Sequence, residues 1–95
     1  MIRVVATLTI NPDKFEEVMT IATELVRLTR EEKGCVNYDL VQSIEEAHQL
    51  ALIEAWETKE DLDAHCETEH FLELLPQIGT LCSEEPTISV FNQII

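Results

Sequence analysis

The feature that most constrains this chain is a change of hydrophobic period that happens twice along it: two, then about 3.6, then two again. In residues 2–10, Val4, Ala6, Leu8 and Ile10 alternate with Arg3, Val5, Thr7 and Thr9, the pattern of a strand with one buried face. From Pro12 onward, Phe15, Val18, Met19, Ala22, Leu25 and Val26 recur at steps of three and four, which predicts an amphipathic helix reaching about Lys33. Asn11 offers a capping oxygen, and Pro12 suits the first turn. Lys33 complements the dipole at the far end, and Gly34 can adopt the left-handed conformation just past it. Alternation returns at Val36, Tyr38 and Leu40 and again over residues 49–57, predicting two strands joined across the polar segment Ser43 to His48. Thr58 with Asp61 resembles a capping box and starts a short helix through Leu62 and Cys66. Thr68 then starts another through Phe71, Leu74, Leu75 and Ile78, with a break near Glu67. Glu85-Pro86 stops it, and Ile88, Val90, Asn92 and Ile94 form a final strand.

The order β-α-β-β-α-β is a split βαβ unit repeated, the ferredoxin-like α+β pattern, here expected as one domain over residues 1–95. Helices cover one face of such a sheet. The expectation places Val5, Leu50, Leu52, Trp56, Phe91 and Ile95 on the other, too apolar a surface for water. A second copy packed sheet against sheet would bury it, so a homodimer is expected.

Charge narrows the function classes. Nineteen Asp and Glu stand against six Lys and Arg, a formal charge of −13 that repels phosphate backbones and anionic lipid, so neither nucleic acid nor a membrane surface is an expected partner. No apolar run is long enough for a membrane span or a secretory segment, and a cytoplasmic location is expected. Cys35, Cys66 and Cys82 are odd in number and lack a C-x-x-C spacing, so they read as reduced, buried thiols.

Four residues carry candidate chemistry. Glu54 and Trp56 are two apart on a strand and share the face of Leu50 and Leu52. A carboxylate on an apolar face needs a partner, and Arg3 or Arg30 is the expected one. Trp56 is either core or a stacking surface for a flat ligand. His65 and His70 are five apart, about 140° around a continuous helix, so they do not chelate an ion as an i,i+4 pair does. The break near Glu67 could bring them together, but no Cys or third His completes a set, and no metal is expected. Histidine is the side chain whose ordinary pKa suits proton transfer near neutrality. His48, in the hairpin, is expected at the surface.

The segments Met1 to Ala6, Asn11-Pro12, Leu28 to Leu40, Glu54-Ala55-Trp56-Glu57 and His65 to Phe71 together resemble the antibiotic biosynthesis monooxygenase family. The series T-R-x-E-x-G-C-x-x-Y, E-x-W-E and H-x-x-x-x-H, in that order, carries the resemblance over nearly the whole chain. It implies a ferredoxin-like homodimer whose sheets form a dimeric α+β barrel, usually without metal or flavin. Polyketide-oxidising members carry Asn four residues before the strand Trp, where this chain has Leu52. Haem-degrading members pair a strand-one Asn with a helical Trp and a His, and strand one here has no Asn. What the resemblance then implies is a cofactor-independent monooxygenase acting with O2 on a small quinol- or phenol-like aromatic. The alternatives are a non-oxidative isomerase of a small hydroxyketone signalling molecule and a non-catalytic small-ligand-binding dimer. In the enzyme reading His65 or His70 is the base, and Trp56, Leu52, Glu54 and Phe91 contact substrate.

Overall fold

A computed structural model describes residues 1–95 as β1 (Ile2–Thr9), a 3-10 turn (Pro12–Lys14), α1 (Phe15–Thr29), β2 (Cys35–Gln42), β3 (Gln49–Trp56), α2 (Lys59–His65), α3 (Glu69–Thr80) and β4 (Thr87–Asn92). The strands form one antiparallel sheet in the order β2-β3-β1-β4. β1 and β2, joined by α1, are separated by β3, as in a ferredoxin-like fold. No helix is long and apolar enough to cross a membrane.

The period-2 face of β1 is the covered one: Val4, Ala6, Leu8 and Ile10 are all buried beneath the helices. Pairing then decides the faces of the other strands. Val4 lies opposite Glu54, Ala6 opposite Leu52 and Leu8 opposite Leu50, while Tyr38 and Leu40 lie opposite Glu54 and Leu52. Leu50, Leu52 and Trp56 therefore belong to the core under the helices, which corrects their expected place on the open face. The physical reason is size: β3 buries its bulkier set, the alternate set being Gln49, Ala51, Ile53 and Ala55. Val5 and Phe91 do lie on the face away from the helices, being in register with Ile53 and Arg3.

α1 is shorter than its periodicity implied. It ends at Thr29, because Glu31 and Glu32 donate backbone N–H bonds to Leu28 and Thr29 in tight i→i−3 turns. Gly34 then takes φ +80, and its carbonyl accepts from Glu57 N at 2.8 Å, tying the start of β2 to the end of β3. A side chain at this position would also overlap the Asp61 carboxylate. The two threonine caps form as read: Thr58 Oγ1 accepts from Asp61 N at 3.1 Å and Thr68 Oγ1 from Phe71 N at 3.2 Å. Asn11 makes no side-chain cap. Every residue of β4 is exposed, including Ile88 and Val90, although these two point to the helix-covered side in register with Ala6 and Val4.

Candidate functional site

The break between α2 and α3 does what a continuous helix could not. His65 ends α2, His70 is the second residue of α3, and Glu32 sits in the turn after α1. One oxygen, Glu32 Oε2, lies 2.8 Å from His65 Nδ1 and 2.6 Å from His70 Nε2. A carboxylate oxygen only accepts, so both rings donate to it. For His65 this assigns the proton to Nδ1 and leaves Nε2 bare. That atom is buried and has no hydrogen-bond partner. Burial holds the His65 pKa below its ordinary value, against the pull of Glu32, so the ring is neutral at neutral pH.

Aromatic rings cage His65. Trp56 lies 4.7 Å away between ring centroids, Phe71 4.9 Å and Tyr38 5.4 Å. The ring also forms one wall of a cleft of about 70 Å³ between the sheet, α2 and α3, whose other walls include Leu52, Glu54, Cys66 and Phe71. Ile88 and Val90 of β4 line its remaining side.

Glu54 is 5% exposed and its carboxyl accepts from Trp56 Nε1 at 3.0 Å. Neither expected arginine reaches that carboxyl. Arg3 Nε donates to the Glu54 backbone carbonyl instead, and Arg30 pairs with Asp39 at 2.9 Å and with the Tyr38 carbonyl. Burial, with no cation to offset it, pushes the Glu54 carboxyl up to about 7, the indole N–H opposing the shift. The same burial keeps the Tyr38 phenol well above its ordinary value and hence protonated.

The remaining sequence-derived candidates are distributed around this centre. Leu52 and Glu54 line the cleft, whereas Trp56, fully buried, packs behind His65 and has no face open to a ligand. His65 occupies the space a stacking partner would need. Phe91 lies on the far side of the sheet and is half exposed, away from the cleft. His70 opens on an outer groove with Glu24, Glu69 and Glu73 rather than on the cleft. Cys66 is exposed rather than buried, and its thiol is held up by partial burial and by the Glu54 and Asp63 carboxylates, so it is no thiolate nucleophile. The residue that sequence reasoning missed is Glu32. It is the glutamate of T-R-x-E-x-G-C, two positions before the glycine that turns the chain, and that fixed place was the available signal.

A sequence model of a family described as antibiotic biosynthesis monooxygenase matches residues 1–76. Among curated relatives, sll1783 of Synechocystis is 26% identical over 83 residues, and this chain spans 56% of its length and is itself 87% covered. YcnE of Bacillus subtilis is 34% identical over 71 residues, covering 75% of each chain. Among solved structures, a conserved protein from Methanosarcina mazei has a TM-score of 0.96 at 31% identity, covering 98% of this chain and 92% of its own.

Proposed function

We propose, on the premise that this chain belongs to the antibiotic biosynthesis monooxygenase family, that it is a cofactor-independent monooxygenase of a small phenol- or quinol-like aromatic, with His65 as its base. The observation that carries this reading is the bare, buried, partnerless Nε2 of a neutral histidine in the wall of an apolar cleft. Such an atom accepts a proton from a hydroxyl placed in the cleft, and Glu32 on the opposite nitrogen stabilises the imidazolium that forms. Deprotonation makes the ring electron-rich. A quinolate then passes its electrons to O2; one oxygen atom enters the ring and the other leaves as water, giving a hydroxyquinone. The substrate supplies both reducing electrons, and the apolar walls exclude water from the reactive anion.

A cleft of about 70 Å³ is well below the ~300 Å³ at which small-molecule sites begin. The missing volume and wall lie at the exposed β4 side. A second copy of the chain packed over β4, against Phe91 as well as Ile88 and Val90, would complete that wall, and the half-exposure of these residues supports a homodimeric assembly.

One observation favours a second reading. Glu54, near half protonation at neutral pH, faces the same cleft as His65, so a base and an acid flank one space. This pair suits proton transfer between neighbouring carbons of a hydroxyketone, an isomerisation.

Oxygen uptake measured across a panel of quinols, catechols and hydroxyketones tests these readings. The oxygenase reading expects uptake that falls by roughly 10²–10⁴ in His65→Ala, the usual contribution of a general base. Turnover that proceeds equally without O2 selects the isomerase. Saturable binding with no turnover of any panel member leaves a ligand-binding dimer, and unchanged turnover in His65→Ala removes the base assignment.

A further inference from the structure

We propose that Glu32, His65 and His70 form a binding site for a single divalent cation of the zinc class. The three donors come from three different elements, and their ligand atoms all lie within 4.8 Å of one another. Two imidazoles and a carboxylate are a donor set of borderline softness, suited to Zn2+, Co2+ or Ni2+ rather than Mg2+ or Ca2+. The fit is close. Ligand atoms about 2.0–2.2 Å from a tetrahedral ion stand roughly 3.4 Å from one another. The two N···O distances here are 2.8 and 2.6 Å, so the carboxylate withdraws by less than about an ångström, while the two nitrogens, within 4.8 Å of each other, close toward that spacing to admit the ion.

An entry path leads to the site. His70 opens on the outer groove lined by the carboxylates of Glu24, Glu69 and Glu73, on a chain of net charge −13, and such a field accumulates cations. Neither histidine uses its second nitrogen within the chain, so each can move its proton there when the ion takes the first. For His65 that shift places N–H at Nε2, the nitrogen proposed as base. The loaded ring is a donor where the proposed reaction needs an acceptor. The ion is thus a blocker of the reaction and not a participant. Only this blocking effect rests on the proposed base; binding itself stands on the geometry.

The experiment is titration of the intact protein with Co2+ and with Zn2+, followed by visible absorption and by calorimetry. The expected result is one ion per chain with the ligand-field bands of low-coordinate Co2+, and at least about tenfold weaker binding in Glu32→Gln and in His70→Gln. His48→Ala, a change to a histidine remote from the site, should bind as wild type. The proposal is overturned by absence of stoichiometric binding, by unchanged affinity in both folded variants, or by a sulfur-to-cobalt band that assigns the ion to Cys66. Far-ultraviolet dichroism checks that the variants fold, and the partly exposed His70 keeps the test intact should Glu32→Gln fail to do so. Stoichiometric binding without loss of oxygen uptake would refute His65 as base while leaving the cation site standing.

Discussion

β3 and β4 are both alternating apolar strands of one sheet, yet β3 buries five of its eight residues while β4 buries none. Composition does not separate them; position does. β3 lies between β2 and β1 with helices above it, whereas β4 is an edge strand paired with β1 alone. The contrast teaches where the molecule stores stability and where it leaves surface available. Trp56 on β3 is fixed behind His65 and Glu54 lines the cleft, while Ile88 and Val90 on β4 face the same side and remain half exposed beside it.

The largest expected effect is Trp56→Ala. Truncating a fully buried indole should cost about 3–5 kcal/mol in urea unfolding. A cost under about 1 kcal/mol would show that β3 is not the stability-bearing strand.

Glu54→Gln sharpens the comparison through pH. The native carboxyl titrates at about 7 against an ordinary 4.5, so between these values the folded state holds the proton that the unfolded state has released. Wild-type stability contributed by this group is present below about pH 4.5 and is lost as pH rises through about 7, by on the order of 3 kcal/mol. His65, with a lowered pKa, works in the opposite direction, favouring the fold as pH rises toward its ordinary 6.5. Subtracting wild type from variant cancels the histidine and leaves Glu54. The variant should gain relative stability from about pH 5 to about pH 8, checked by urea midpoints; a flat difference would refute the buried, unpaired carboxyl.

The smallest effect on stability is expected at the edge. Phe91→Glu should change monomer unfolding by no more than about 0.5 kcal/mol, since the ring is half exposed. Its readout is association: sedimentation should shift from a dimer toward a monomer. Unaltered sedimentation of a dimeric wild type would place the interface elsewhere, and a monomeric wild type would leave the β4 side uncovered.

Local signals translated well into structure. The alternation of Val4, Ala6 and Leu8 identified the covered face of β1, and the oxygens of Thr58 and Thr68 cap helices where their spacing implied. These depend on neighbours within a few residues. Alternation along β3, by contrast, defines two faces without saying which is covered; the pairing of Leu8 with Leu50 decides that, and pairing is a long-range fact. The exposure of β4 has the same origin, because its residues read as apolar whether or not a helix reaches them. The convergence at the site was partly legible: the break near Glu67 predicted that His65 and His70 could meet. Their meeting point was not, because Glu32 lies 33 and 38 residues away and its turn forms only where α1 stops at Thr29.

Glu32 Oε2 is a single fastening for the turn after α1, the end of α2 and the start of α3, and this bears on the direction from which a molecule can arrive. An opening that parts α2 or α3 from that turn breaks the hydrogen bond that holds the His65 ring, so a route between the helices loosens the proposed base as it admits a ligand. A route along β4 disturbs none of the three. Past Ile88 and Val90 there is thus an approach to the cleft that leaves the Glu32 fastening intact, and a second copy seated over β4 would govern it.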